Sequence, residues 1–175
     1  SETDKVVDDS RKTNEDIKRH SEEVIRRLEE LIREVEEHSR RVEDEVRRIL
    51  DEIRKLAEDG VDERDLRRLV KKLEEEIDRV LEEDERLIRE IKKEADRVLE
   101  TDKRLAEEDK KRIDDKATDK DKATELKKDT DRILKESEDA LRRIKKELDD
   151  LLRTSKRLAE ELKKELREIL ERAKR

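Results

Sequence analysis

The two histidines of this chain lie in matching sequence frames. Residues 17–24 read IKRHSEEV and residues 35–42 read VEEHSRRV, so His20 and His38 are 18 positions apart and each precedes a serine. In a chain that is 61% charged, this pairing of an imidazole with a hydroxyl is the feature most suited to catalysis or metal binding. Serine, histidine and aspartate together can form a hydrolytic triad, and histidine with aspartate can ligate a metal.

We interpret these residues as structural rather than catalytic. A triad would use Ser21 or Ser137 as the nucleophile, His20 as the base and Asp102 as the orienting acid. Backbone N–H groups in the middle of a helix are already hydrogen-bonded, so they cannot form an oxyanion hole. The arrangement also occurs twice, and no pocket is evident from the pattern. We therefore predict no catalytic residues and no enzyme.

The same residues make a poor metal or cofactor site. By helix rise, His20 and His38 are about 27 Å apart, so they cannot share an ion. Each histidine can meet one aspartate, whereas a closed zinc site needs four ligands. The single glycine of the chain excludes a glycine-rich phosphate loop. We predict that the protein binds neither a metal nor a cofactor.

Three long helices carry these side chains in the predicted fold. Apolar residues recur at three- and four-residue steps, as on one face of a helix, with two interruptions. Gly60 suits a left-handed helix C-terminus, Asp62 suits an N-cap, and Thr118 with Asp121 resembles a capping box. The pattern predicts an all-α, single-domain, antiparallel three-helix bundle. Its helices cover residues of about 2–59, 62–117 and 119–174.

An 18-residue repeat orders the polar residues inside the apolar faces. Eighteen residues make five whole turns, so residues at that spacing point the same way, and we expect nearly straight helices. Asp84 and Asp102 fall in the middle of an apolar arc, while the histidines fall at the edge of another. A buried carboxylate needs donors, so we predict that hydroxyls and an imidazole surround each aspartate. Residue counts from the turns give three polar layers: His20, Ser21, Asp102 and Ser137; His38, Ser39, Asp84 and Ser155; Thr13, Asn14, Asp109 and Thr130.

Composition excludes several classes of function. The 57 acidic and 50 basic residues alternate in sign, give a net charge of −7 and form no basic block for nucleic acid. No run of about 18 apolar residues is present to span a membrane, and the polar start SETDKVVDDS does not resemble a signal peptide. We expect a soluble protein without a targeting signal, suited to recombinant cytoplasmic expression, and with no nucleic-acid or membrane partner.

The chain resembles computationally designed helical bundles with buried hydrogen-bond networks. The resemblance rests on the even repeat, the regular caps, the polar layers and the absence of aromatic, Cys, Met and Pro residues. The stretch ATDKD is similar to the Thr-Asp-Pro connections of such bundles, with Lys120 in the place of the proline. The resemblance implies a de novo scaffold with no natural substrate.

We therefore predict a structural scaffold whose polar layers fix the register of its helices. Each apolar arc is about 120° wide, so three arcs facing one axis can bury one another and leave no stripe for a fourth helix. This favours a monomer that requires no partner. Two alternatives stay open: an interaction module that accepts a designed fourth helix or self-associates, and a bundle whose histidines make it respond to pH.

Overall fold

Three long α-helices account for nearly all of the chain. The computed structural model describes residues 2–174, and within that range it contains no strand. The helices are α1 (Glu2–Glu58), α2 (Glu63–Lys116) and α3 (Lys120–Ala173). Each end lies within one residue of the position that periodicity and capping residues indicate. The predicted all-α, three-helix class is confirmed.

The turn between α1 and α2 is closed by backbone and side-chain caps. Gly60 has a φ of 82°, a left-handed conformation that glycine adopts at little cost. Its N–H donates to the carbonyl of Ala57 (3.3 Å), and the N–H of Val61 donates to the carbonyl of Leu56 (3.1 Å). These two bonds satisfy carbonyls at the end of α1, as in a Schellman motif. Asp62 Oδ1 then accepts a backbone N–H from the first turn of α2 at 3.2 Å.

The start of α3 is capped by Asp119, so the prediction of a capping box at Thr118 is wrong. Asp119 Oδ1 accepts the N–H groups of Asp121 (3.1 Å) and Lys122 (3.2 Å). The hydroxyl of Thr118 is instead 2.7 Å from that of Thr3 on α1. A carboxylate meets the positive end of the helix dipole better than a neutral hydroxyl does. Thr118 therefore forms the tertiary contact with Thr3, and Asp119 caps the helix.

The helix packing divides the chain into two compact units. Within the described residues, unit 1 consists of residues 2–31 and 91–147, and unit 2 consists of residues 32–90 and 148–174. Each of the three helices contributes one segment to each unit. That the chain forms a single domain stays a prediction.

In unit 1, α1 and α3 run parallel and α2 runs antiparallel to both. Side-chain hydrogen bonds join Asn14 to Thr130 and Ser21 to Ser137, and both pairs are separated by 116 positions. The constant separation shows that α1 and α3 keep one register between these two levels. An apolar cluster at the start of α1 consists of Val6, Val7, Ile113, Ala123 and Leu126.

Unit 2 contains a continuous apolar cluster to which all three helices contribute. Its buried members are Val46, Leu50, Ile53, Leu66, Val70, Leu73, Ile77, Ala159, Leu162, Leu166 and Ile169. Ion pairs such as Lys163 with Asp78 (2.8 Å) cross between α2 and α3 at the surface. Exposed pairs of this kind contribute at most about 1 kcal/mol each. Burial of the apolar residues is therefore the main source of stability in this unit.

One edge of the predicted apolar arc of α1 faces solvent. His20, His38 and Leu56 share this edge, because they are spaced by five helical turns. Both histidines are exposed, and Leu56 is 37% exposed. On α2, Leu69 and Leu87 share an edge in the same way and are 38% and 41% exposed. The buried arcs are therefore narrower on these sides than the sequence pattern indicates.

The helices of the described residues carry charge along their whole length. In residues 2–174, no helix has an apolar stretch of the length that a bilayer crossing requires.

Candidate functional site

Asp102 is the centre of a buried hydrogen-bond network in unit 1. Its side chain lies on α2 in the middle of the apolar face, and the residue is 0% exposed. Asp102 Oδ2 accepts hydroxyl hydrogen bonds from Ser21 on α1 (2.5 Å) and from Ser137 on α3 (2.7 Å). The two serine hydroxyls are themselves 3.2 Å apart. One carboxylate oxygen is thereby linked to both of the other helices.

His20 does not join this network. The structure places it at the surface, while Asp102 Oδ1 is buried without a hydrogen-bond partner. The helical position of His20 explains the difference, because it lies on the exposed edge of α1 and an imidazole cannot reach across the helix to the centre. The serine that follows it in sequence is turned by about 100° into the core.

Asp109 is the centre of a second network in unit 1, and this one includes a cation. Thr130 Oγ1 lies 3.2 Å from Asp109 Oδ2 and 3.1 Å from Asn14 Oδ1. Ser10, which is fully buried, donates to Asp109 Oδ2 at 2.9 Å. The guanidinium of Arg112, one turn further along α2, forms a short ion pair with Asp109 Oδ1. Both carboxylate oxygens of Asp109 are therefore hydrogen-bonded.

Arg112 also links this network to Thr13, in a way that the sequence pattern did not indicate. Its Nη2 donates to Thr13 Oγ1 at 3.0 Å, so the threonine contacts the arginine rather than Asp109. Ser10 was also missed, although it lies on the apolar face and about as many residues from Gly60 as Asp109 does. The residue count that indicated the layer could have found Ser10. It could not have found Arg112, whose long side chain reaches inward from the edge of the arc.

Asp84 occupies the corresponding position in unit 2 but has fewer partners. The residue is 3% exposed, and its Oδ2 accepts a hydrogen bond from Ser39 at 3.0 Å. His38 Nδ1 lies 4.0 Å from Asp84 Oδ1, which is too long for a hydrogen bond, and the side chain of His38 is 46% exposed. Ser155 is half-buried and lines the same cleft as Asp84, but no hydrogen bond joins them.

Burial perturbs the acidity of Asp84. Removal from water disfavours the charged carboxylate and raises the pKa of Asp84 above its ordinary value of 3.8. The hydrogen bond from Ser39 and the nearby His38 oppose this increase in pKa, and the neighbouring Glu83 adds to it. Asp84 Oδ1 is buried and has no hydrogen-bond partner, so the compensation is incomplete.

The geometry of these networks differs from that of a hydrolytic or metal site. In the part of the chain that the structure describes, neither histidine is hydrogen-bonded to a serine, which a nucleophile and its base require. Over the same residues, no three His, Cys, Asp or Glu side chains are placed to hold a metal ion. The hydroxyls of Ser21, Ser39 and Ser137 all donate to a carboxylate, which stabilises that carboxylate rather than activating the hydroxyl.

Comparisons with known proteins support the fold. No protein-family model matches the sequence, and the comparison with curated proteins gives no match. The chain is similar in structure to a solved protein described as a computationally designed three helix bundle, with a TM-score of 0.56. The two are 16% identical, and the alignment covers 98% of this chain and 88% of the other. The chain thus resembles a designed three-helix bundle along almost its whole length.

The Asp102 network predicts opposite outcomes for two substitutions. Asp102→Ala leaves the hydroxyls of Ser21 and Ser137 without their acceptor and opens a void, so we expect a loss of about 1–3 kcal/mol. Asp102→Leu fills the space and removes a buried charge, so we expect little loss or a gain. Guanidinium unfolding measures both, with the exposed Asp115→Ala as a control within about 0.5 kcal/mol of the parent. Equal losses for alanine and leucine would contradict the network.

The raised pKa of Asp84 predicts a specific dependence of stability on pH. Because its pKa is raised above 3.8, Asp84 stays protonated to a higher pH in the folded protein than in the unfolded chain. The contribution of Asp84 to the free energy of unfolding therefore falls as the pH rises through the folded pKa, and then stays constant. Asp84→Asn removes this term, so its stability relative to the parent should increase over the range in which the pH rises from 3.8 through the folded pKa, and should then level off.

Guanidinium unfolding of both proteins across that range measures the difference, and Asp115→Asn serves as an exposed control. A difference that is flat, or that decreases as the pH rises, would show that Asp84 is not penalised by burial.

Proposed function

We propose that this chain is a de novo designed scaffold in which buried aspartates fix the register of three helices. The observation that carries this proposal is the environment of the Asp102 carboxylate. It is fully buried and accepts hydrogen bonds from hydroxyls of both other helices. If α2 moved by one residue against its neighbours, the carboxylate would face apolar side chains instead of donors. An unpaired buried charge of that kind costs several kcal/mol, on the order of 3–5.

The three aspartates support the same role at three levels. Asp109 and Asp102 act within unit 1, and Asp84 acts within unit 2. Each accepts a hydrogen bond from a serine hydroxyl of α1: Asp109 from Ser10, Asp102 from Ser21 and Asp84 from Ser39. Repetition of one chemical solution along a helix is expected of a device for alignment, and not of a catalytic centre, which needs one specialised arrangement. The hydroxyl of a serine also fits in a core at a smaller desolvation cost than a charge.

The designed origin is supported by features that act together. The repeat of 18 residues, the absence of aromatic, Cys, Met and Pro residues, and caps at both turns are typical of an idealised sequence. The similar solved structure is described as computationally designed. A chain of this origin has no natural substrate, and we propose that it has no catalytic activity.

A pH-responsive bundle is a second candidate function. It is favoured by one observation: His38 Nδ1 lies 4.0 Å from the incompletely bonded oxygen of Asp84. A protonated His38 that moved closer would compensate the buried charge. Its side chain is about half exposed, so solvent weakens this attraction, and the structural role of Asp84 is better supported.

The register proposal predicts the behaviour of a triple variant. Nitroxide labels on Glu23→Cys of α1 and Arg104→Cys of α2, both exposed positions in unit 1, report the alignment of these helices. The chain has no native cysteine, so the labelling is specific. Replacing Asp84, Asp102 and Asp109 with leucine should keep the helices. It should broaden the distribution of distances between the two labels by about one helical turn, or about 5 Å.

The matched control replaces the same three aspartates with asparagine, which keeps an acceptor oxygen in every layer. Pulsed electron spin resonance should give a narrow distance distribution for the parent and for the asparagine variant. A leucine variant with the narrow distribution of the parent would show that the aspartates do not set the register.

We propose further that the protein is a monomer with no required partner. Among residues 2–174, the exposed large apolar side chains are those of Leu56, Leu69 and Leu87, each less than half exposed. A stable interface normally needs a larger apolar surface. Sedimentation equilibrium at micromolar concentration should give a mass near 21.2 kDa. A mass of about twice that value would instead support an interaction module that self-associates.

A further inference from the structure

A cleft beside Asp84 in unit 2 combines apolar walls with a small polar end. It has a volume of about 50 Å³ and is lined by side chains from all three helices. Most of its wall is aliphatic and includes Val46, Ile77 and Leu162, which belong to the apolar core of the unit. The polar end is formed by Asp84 with Ser155 and Ser39. Such a combination orients a small ligand with one charged end and one apolar end.

The electrostatics of the cleft favour a cation. Asp84 is almost completely buried, and its Oδ1 has no hydrogen-bond partner. Glu43 is a second carboxylate in the lining, and it is paired outside the cleft with Arg47 at 3.1 Å. The lining contains no lysine, arginine or histidine. The ring of His38, 4.0 Å from Asp84 Oδ1, approaches from outside the lining and is half exposed.

We infer that this cleft binds a small primary alkylammonium ion of about the size of ethylammonium. The ammonium group supplies a positive charge and N–H donors to the Asp84 carboxylate, which lines the cleft and has a hydroxyl donor on one oxygen alone. Its other N–H groups suit the hydroxyl of Ser155, which can accept a hydrogen bond and makes none with Asp84. The ethyl group suits the aliphatic wall. Arginine-like or multiply charged ligands would leave donors unpaired against that wall.

The volume limits the size of the ligand. A cavity of about 150 Å³ holds a benzene molecule, with six carbon atoms, so one third of that volume suits two or three non-hydrogen atoms. A ligand this small has a limited affinity even when every atom contributes fully. The ceiling per atom corresponds to a Kd of about a millimolar for three atoms.

The titratable groups around Asp84 determine the conditions of the test. His38 and Glu43 approach from α1 and Glu83 from α2, while α3 contributes the neutral Ser155 to the lining. Burial raises the pKa of Asp84, and a bound cation opposes that change. A pH of about 8, well above the ordinary pKa of an aspartate, favours the charged carboxylate that a cation needs.

The test is a titration of the full-length protein followed by methyl NMR at constant ionic strength. Ethylammonium chloride should cause saturable shifts of the Val, Leu and Ile methyl groups that line the cleft, with a Kd in the millimolar range. Ethanol has a similar size but no charge, and tetramethylammonium has the charge but no N–H donor. We expect neither of them to cause saturable shifts at the same concentrations.

Variants connect any binding to Asp84. Asp84→Asn should weaken the binding of ethylammonium at least tenfold. Asp102→Asn changes a buried aspartate of unit 1 and should leave the affinity for ethylammonium unchanged. Ser155→Ala removes an acceptor without breaking a hydrogen bond to Asp84, so it should keep the fold and weaken binding several-fold. Circular dichroism checks the fold of each variant.

Three results would overturn the inference. The first is an absence of saturable shifts at about fifty times the expected Kd, including the case in which only water contacts are detected in the cleft. The second is an equal response to ethanol, which would show that the apolar wall alone binds. The third is unchanged affinity in both Asp84→Asn and Ser155→Ala.

Discussion

The cost of burying a carboxylate is the constraint on which this structure depends. An aspartate in an apolar face is tolerated only where donors from other helices meet it, so each buried aspartate specifies its neighbours. Apolar side chains alone are less selective, because leucine, isoleucine and valine can pack in many alignments. Asp84, Asp102 and Asp109 therefore contribute specificity, and the aliphatic residues around them contribute most of the stability.

The three aspartates satisfy this constraint to different degrees. Asp109 has hydroxyl donors on one oxygen and the guanidinium of Arg112 on the other. Asp102 has two hydroxyl donors on one oxygen and none on the other. Asp84 has one hydroxyl donor and borders an open cleft. The carboxylate of Asp109 has a donor on each oxygen, whereas that of Asp84 lines a cleft and is incompletely bonded, as the inferred cation site requires.

Much of the architecture could be predicted because helical periodicity converts sequence spacing directly into angle. The apolar steps indicated three helices, and the two interruptions of the pattern indicated their ends to within one residue. Gly60 was identifiable because only a left-handed residue closes a Schellman motif without strain. The central angles of Asp84 and Asp102 placed them in the core, where the structure has them.

The structure differs from the sequence-based prediction at the edges of these arcs. His20 and His38 lie one residue before serines that are buried or half-buried, yet both histidines face solvent. A position at an edge is buried only if the neighbouring helix covers that side, and the sequence of one helix does not contain this information. For the same reason Arg112 was missed, because its long side chain enters the core from an edge position.

The sequence by itself determined the helices, their ends and the residues at the centre of each apolar face, since these follow from local propensity and a fixed angle per residue. Only the tertiary structure decided which donors meet each carboxylate. It assigned Thr118 to Thr3 and left the helix cap to Asp119. It also left one oxygen of Asp84, a residue that lines a cleft, without a hydrogen-bond partner. These outcomes depend on differences of a few tenths of an ångström in the distances between side chains of different helices, which spacing along one helix cannot specify.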